Sequence, residues 1–412
     1  MKYDVVIAGG GLAGLMSGIA LAREGRSVAI ISFGNSALHF SSGSLEMWND
    51  AEGALNSVAA NHPYAIVGTQ HLDRYSRITK DIFASAGEQL KGEYGCNHLR
   101  ISPVGVLKPA WLTFDDYFVF DPKMTDGGRV VVVGIDGYLD FYPDFIADGL
   151  RRKGVECDVA SVNLPELERL RESATEMRSV GISRLLKGDA VERLAHQMAP
   201  LVQGAQMVIM PAVFGLGDVD GRQRIERVVG CPVRVAPTAS ISVAGVRAQK
   251  KLVEEFRGLG GTYILGDKVV SCRIEDGRVA GVRSHNHGDV EFVAKDFILA
   301  TGSFFSRGLV ATPEEIYEPT FGAAVVCAEK REAWCAERIL EAQPFQRYGV
   351  RVDGNLRVEI DGSVVENLYA VGSIVAGADA VKEGCGAGVV VATALMAAEQ
   401  ILGKELDVKE MN

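Results

Sequence analysis

The sequence predicts an α/β fold, a Rossmann-like parallel-sheet domain split along the chain by an inserted second α/β domain. Three stretches predict it. Residues 4–31, DVVIAGGGLAGLMSGIALAREGRSVAII, read as strand, glycine turn, helix and strand. Four consecutive valines at 130–133 open another strand-and-helix unit. Near the other end, EGCGAGVVVATALMAAEQI (383–401) starts a long apolar helix on glycines. The expected division is 1–125 and 242–412 for the first domain, with 126–241 as the insert.

The first unit carries the strongest signal. Val5 to Ala8 form an apolar run, and Gly9, Gly11 and Gly14 follow in G-x-G-x-x-G spacing. A helix is expected from Leu12 to Arg23, closed by Gly25, with a second buried strand over Ser27 to Ile31. In such a unit the first glycine permits a tight turn and the second lets a phosphate approach the backbone. The third lets helix and strand pack closely. The free N–H groups of the helix start, from Leu12 and Ala13 onward, suit an anion. Gly18 extends the close packing by one turn. Where such chains usually end the second strand in Asp or Glu to hold ribose, this one has Ser32.

Beyond that strand, SFGNSALHFSSGSLEMW (32–48) places His39, Ser41, Ser42, Gly43 and Ser44 where a doubly wound fold rests its ligand. The competing reading is a serine-rich turn, with Ser44 capping a helix that begins at Leu45. Helical periodicity runs from Leu72 to Leu90, and small strands are expected in the loop-rich stretch after it. His98 and Arg100 lie there as isolated polar residues, for which solvation is the expectation.

RVVVVGIDGYLDF then gives a strand followed by Gly134 and Gly137; the spacing fits a plain strand-to-helix turn, the favoured reading without a third glycine, or a second nucleotide site. A helix over 141–153, the strand ECDVASV, a charged helical region from Pro165 to Leu201, and strands near Met207–Met210 and Val233–Ala236 complete the insert. It reads as a docking or capping domain. From Ser242 the first domain's character returns, with a helix over Ala244 to Leu259 and a meander of strands turning on Asp-Gly and His-Gly. His285 and His287 flank one turn and are expected to be exposed. The meander ends in ILATG, where Thr301 and Gly302 turn tightly beside the expected ligand. Leu368 to Val371 read as a strand running into Gly372 and Ser373, and Gly384, Gly386 and Gly388 open the last helix around Ala387. Free N–H groups at that end suit an oxygen that gains negative charge.

Whole-chain properties narrow the classes. At 412 residues the chain holds two or three domains, and 47% hydrophobic with 23% charged residues is ordinary for a soluble protein. A net charge of −10 without a basic cluster argues against nucleic acid. No stretch reaches the ~20 apolar residues of a membrane span, and no secretory signal pattern is present. The seven cysteines form no C-x-x-C, so neither a metal site nor an iron–sulfur cluster is expected.

MKYDVVIAGGGLAGLMSGIALAREG, SALHFSSGSLE, ILATGSFFSRGLVA, FQRYGV and ENLYAVGS with EGCGAGV together resemble the glutathione-reductase-type flavoprotein fold, in the branch of the fumarate reductase flavoproteins. More closely still, the chain is similar throughout to the B-subunit family of anaerobic glycerol-3-phosphate dehydrogenases. The resemblance implies one component of a three-subunit enzyme that oxidises sn-glycerol 3-phosphate to dihydroxyacetone phosphate and feeds quinone. It implies FMN here, FAD on the catalytic A subunit, and iron–sulfur clusters on a membrane-anchoring C subunit, with the assembly at the cytoplasmic face of the inner membrane. It also implies ligand roles for Gly9, Gly11, Gly14, Ser41 to Ser44, Gly302, Gly372, Ser373 and the turn from Gly384 to Gly388. Ser373 stands where the wider fold usually has Asp. With Ser32 that makes two absent carboxylates, which fits FMN; the intact glycine turn fits the pyrophosphate of FAD, which stays the alternative. His39 lies in the loop where related flavoproteins can attach flavin covalently, but its spacing differs, so a non-covalent cofactor is expected, with His39 near its ring or phosphate. Two other functions compete: a self-sufficient FAD-dependent NAD(P)H oxidoreductase, and a scaffold protein whose nucleotide site is empty.

Overall fold

The computed structural model describes residues 1–58, 61–173 and 175–408. Strand β1 (Val5–Ala8) leads through the glycine turn into helix α1 (Leu12–Arg23) and strand β2 (Val28–Ser32). Every residue of α1 from Ala13 to Ala22 is buried. A helix apolar all round must be covered on all sides, and the C-terminal helix supplies the outer cover, Ser17 Oγ donating to Ala394 O at 3.1 Å. Close packing beneath α1 depends on Gly18, whose Cβ would fall 2.9 Å from Ile30.

After β2 a short 3-10 turn, Ala37–Phe40, leads to Ser44–Leu45, which is a strand rather than the start of a helix. Helix α2 (Leu72–Ser85) buries Leu72, Tyr75, Ile78, Ile82 and Phe83 along one stripe. It stops five residues before Leu90, which instead pairs with Phe114 across a small antiparallel sheet. A second small sheet holds His98–Ile101 between Leu107–Ala110 and Val119–Phe120.

The segment from 130 to 236 forms its own parallel sheet. Its elements are β3 (Val130–Ile135), α3 (Pro143–Arg151), β4 (Cys157–Val162), α4 (Asp189–Leu201), β5 (Met207–Pro211) and β6 (Val233–Ala236). Strand order is β4-β3-β5-β6, all parallel. The charged stretch before α4 breaks into short helical pieces at Pro165–Leu167, Glu168–Arg171 and Ser179–Leu185. The edge of β6 is not free: Phe118 N–H donates to Val235 O at 2.9 Å, and Val235 N–H to Asp116 O at 3.0 Å.

Helix α5 (Val243–Gly258) returns the chain to the first sheet. The remaining elements are β7 (Thr262–Leu265), β8 (Val269–Glu275), β9 (Arg278–Ser284), β10 (Asp296–Leu299), β11 (Arg357–Ile360), β12 (Ser363–Ala370) and α6 (Gly386–Leu402). The main sheet runs β7-β2-β1-β10-β12-β11, parallel except for the β11–β12 hairpin. Thr262–Leu265 therefore leaves the expected meander and forms the sheet edge, with Leu265 opposite Ser32. The period-2 alternation of strands sorts the core into two layers. Val5, Ile7, Val28, Ile30 and Ile298 share a core with α1, α5 and α6. Val6, Ala29, Ile31, Phe297 and Leu299 face the β8–β9 meander through Val279, Val282 and Phe292. His287 is not simply exposed: its Nδ1 lies 2.7 Å from Asp267 at the base of that meander.

Candidate functional site

The carboxyl ends of β1, β2, β10 and β12 converge, and a cavity of about 760 Å³ opens above them. A parallel sheet binds ligands at this end because helix N-termini and loop N–H groups point there. Of the residues singled out from the sequence, Gly9, Gly11, Leu12, Ala13, Ser32, Ser41, Ser44, Thr301, Gly302, Ser373 and Ala387 form its wall. Segments 300 residues apart in the chain meet there.

The three motif glycines differ in what they accommodate. Gly9 has φ +117° and its Cβ would fall 2.2 Å from Ala300 O, so the protein itself requires glycine. Gly14 stands behind the wall, where a Cβ would come within 2.0 Å of Gly9 O. At Gly11 the nearest atom to a Cβ is Ser36 Cβ at 3.6 Å. That space faces the cavity.

Other expected residues lie off the wall, each for a physical reason. Gly43 has φ +78° and sits against the Tyr117 ring, which a Cβ would enter at 2.4 Å. Gly372, at φ +79°, donates its N–H to Thr393 Oγ1 at 2.8 Å and carries Ser373 to the wall. Gly384 closes the short helix Ala380–Glu383, and Gly386 packs on Ala380. Ser42 also lies off the wall. His39 is also off the wall; its backbone carbonyl accepts from Ser242 N–H, just ahead of α5, at 3.0 Å, and burial lowers the pKa of its ring. That placement, beside rather than within the cavity, favours non-covalent binding. Acid precipitation of the loaded chain should therefore leave all flavin in the supernatant; flavin retained on the pellet would overturn this.

Wall residues that sequence patterns did not single out include Gly10, Phe33, Ser36, Lys268 and Arg307. Hydrogen bonds lock several of them: Ser36 Oγ donates to Gln249 Oε1 at 2.8 Å, and Tyr263 OH donates to Gly10 O at 3.1 Å. The Ser32 hydroxyl is committed to Gly34 O at 3.0 Å. Lys268 and Arg307 approach the Phe33 ring at 5.7 and 5.9 Å. Among the described residues no Asp or Glu belongs to the wall, although the chain carries a net charge of −10. Together with the start of α1, these cations favour an anionic ligand.

The start of α6 is held by a buried cluster. His62 Nε2 lies 3.3 Å from Glu383 Oε2, and Cys385 Sγ 3.6 Å from the same oxygen; Arg347 reaches Glu383 Oε1 at 2.6 Å. His62, Glu383 and Cys385 have the ligand types of a metal site. However, His62 Nδ1 accepts Tyr64 N–H at 3.1 Å. The neutral ring then carries its proton on Nε2, the nitrogen that a metal here would need. Burial also pushes the Cys385 thiol well above its ordinary range. The cluster acts as a bracket for the turn into α6.

A family model described as an FAD binding domain matches residues 4–389. The B subunit of anaerobic glycerol-3-phosphate dehydrogenase from Yersinia pestis bv. Antiqua is 37% identical over 423 residues, covering 98% of this chain and 99% of that one. The B subunit from Pasteurella multocida is 37% identical over 428 residues, covering 98% and 100%. This chain belongs to the B-subunit family of anaerobic glycerol-3-phosphate dehydrogenases. It is a flavoprotein of the oxidoreductase class.

The cavity of this B-subunit family member fits a flavin on independent grounds. Thr301 Oγ1, on the wall, is buried and has no hydrogen-bond partner among the described residues. A buried unpartnered hydroxyl costs about 1–3 kcal/mol, and a polar ligand atom removes that cost. The open space at Gly11 leaves room for a phosphate, and the apolar wall of Leu12, Leu45, Val371 and Val390 suits a ring system.

Proposed function

We propose that this chain is the electron-carrying flavoprotein component of a complex that oxidises sn-glycerol 3-phosphate to dihydroxyacetone phosphate and delivers the electrons toward quinone. The observation that carries the reading is the acid-free cavity on an intact glycine turn, in a chain matched over 98% of its length by B subunits of that dehydrogenase. The bound flavin supplies the chemistry of accepting an electron pair and releasing it one electron at a time. The chain's own residues hold it: Gly11 and the first turn of α1 take the phosphate, and Thr301 and Ser373 offer hydroxyls. Lys268 and Arg307 neutralise charge near the mouth. FMN is the favoured form, since Ser32 is already committed to Gly34 and neither Ser32 nor Ser373 supplies a carboxylate for an adenosine half. FAD is the alternative. Residues 126–241 are proposed as a separate inserted domain, with 1–125 and 242–412 forming the flavin domain.

The reading requires partners. The seven cysteines are free thiols spread over the fold, and among the described residues no helix is long and apolar enough to cross a membrane. An FAD-bearing A subunit and a cluster-bearing, membrane-anchoring C subunit complete the path, placing this chain at the cytoplasmic face of the inner membrane. Expressed alone, the chain should bind flavin and fail to reduce a quinone analogue with glycerol 3-phosphate. Adding both partners should restore turnover and carry the chain to membranes. Turnover by the isolated chain at the rate of the complex would overturn the assignment. So would bleaching of its flavin by NADH alone.

A further inference from the structure

We infer that Ser44, Thr113 and His98 form a proton relay between the cavity and the outside of the protein. The inference rests on the flavin reading above and goes beyond it. Two-electron reduction of a flavin takes up at least one proton, and reoxidation gives it back. Yet among the described residues no Asp, Glu, His, Tyr or Cys belongs to the cavity wall, and its two cations stand with Phe33 at the mouth. A group that titrates near neutrality must act from behind the wall.

The wall hydroxyls with resolved partners lead to different ends. Ser32 ends on a carbonyl, Ser36 runs through the Gln249 amide to the Tyr263 phenol, itself donated to Gly10 O, and Ser41 accepts from Gly43 N–H. Among the described residues, Ser44 leads through a second hydroxyl to an imidazole. Its Oγ lies 2.9 Å from Thr113 Oγ1, and that oxygen lies 2.7 Å from His98 Nε2. The geometry is fixed by the backbone, because Ser44 and Thr113 are cross-strand partners. Thr113 is fully buried, while His98 is part-exposed. Ser44 also stands at the α6 end of the cavity, since Gly388 N–H donates to Glu46 O at 2.8 Å, two residues along.

Each hydroxyl donates and accepts at once, so a proton moves by successive hops. One proton enters at the outer nitrogen of His98 from water, and one leaves Nε2 for Thr113 Oγ1. Thr113 passes its own proton to Ser44, and Ser44 gives its own to the cavity. The electron pair comes from the upstream oxidation, and the reverse sequence follows reoxidation. The charged groups around His98 are Lys91, which pairs with Thr113 in the other small sheet, Lys80 bonded to Gly92 O, Lys108 opposite Arg100 on the paired strand, and Arg100 itself, paired with Glu46 at 2.7 Å. Burial, then Lys91, lowers the pKa of His98, keeping the ring neutral at pH 7. Lys91 is itself a cross-strand partner of Thr113, and its Nζ is engaged by the carbonyls of Tyr117 and Asp115.

The test compares Thr113→Val, Thr113→Ser and His98→Gln with the parent chain. Gel filtration and absorbance of the parent chain report flavin retention, which tests the functional reading alone. An NMR titration of the His98 ring, run without flavin, should show its midpoint moved by Thr113→Val and restored by Thr113→Ser. In the loaded chain, the rate of reduction by dithionite against pH should bend at that midpoint. Thr113→Val and His98→Gln should lose the bend and slow the reaction on the order of 10²-fold, and Thr113→Ser should keep both. An unchanged pH profile in flavin-loaded Thr113→Val overturns the relay. Loss of flavin from that variant, cured by Thr113→Ser, also overturns it by giving the hydroxyl a binding role instead.

Discussion

A Gly11→Val chain is expected to fold and to come off the column without flavin. An alanine Cβ at this position meets only Ser36 Cβ at 3.6 Å, an ordinary contact, and Gly11 sits at φ −80°, open to any residue. Valine adds two methyl groups into the space before the first turn of α1, where a phosphate must reach the backbone N–H groups. Loss of a hydrogen bond to a charged group costs about 1.5–3 kcal/mol, before any clash is counted. An affinity loss on the order of 10²-fold or more follows. Placing a β-branched residue at the N-cap costs the fold about 1 kcal/mol, small beside the stability of a chain this size. Gly9→Val and Gly14→Val are the contrast, since a Cβ at either position collides with backbone at 2.2 and 2.0 Å. Those two should lower the melting temperature steeply, whereas Gly11→Val should hold it within a few degrees. Wild-type flavin content in Gly11→Val would remove the phosphate role of the turn.

The contrast among these glycines also shows what was legible in the sequence. Local chemistry was readable: β1, α1 and β6 lie where their patterns place them, because each depends on near neighbours and a strong apolar period. Thr262–Leu265 shows the limit. Its residues suit an antiparallel meander or a parallel edge equally well, and pairing with β2, over 200 residues earlier, decides between them. The candidate site divides the same way. The glycine turn and Thr301–Gly302 announce themselves by spacing, whereas Lys268 and Arg307 reach the cavity only through the path of the chain. His98 and Arg100, expected to be solvated, are instead bonded to Thr113 and Glu46 because the small strands fold back over them. An isolated polar residue in a loop carries no local sign of such burial.

Arg247 carries no local sign either, and its removal should give the largest loss of stability. It lies on α5, and its Nη1 and Nη2 meet Asp116 at 3.0 and 3.3 Å while Nε faces Glu88 at 3.0 Å. All three side chains are at most 13% exposed, and the guanidinium lies 5.1 Å over Phe114. Through Asp116 the same group braces the strand partner of Val235, so it joins the two sheets. Arg247→Met keeps most of the packing but strands two buried carboxylates. Breaking a buried pair from one side costs about 3–5 kcal/mol. Burial already raises the pKa of Glu88 against the pull of Arg247, so loss of the cation raises it further. The sign follows from proton binding. Between the ordinary carboxylate range and the raised value, the folded variant holds more protons than the unfolded chain, so its stability falls as pH rises through that window. The variant should therefore trail the parent most at pH 7 and least at about pH 3, below the ordinary carboxylate range, where Glu88 is neutral in either state. Urea midpoints at the two pH values measure this. An equal deficit at both would mean the loss comes from packing rather than from stranded charge. Glu88→Gln combined with Asp116→Asn in the Arg247→Met background separates the two causes again, because it should recover most of the deficit at pH 7 only if charge is responsible.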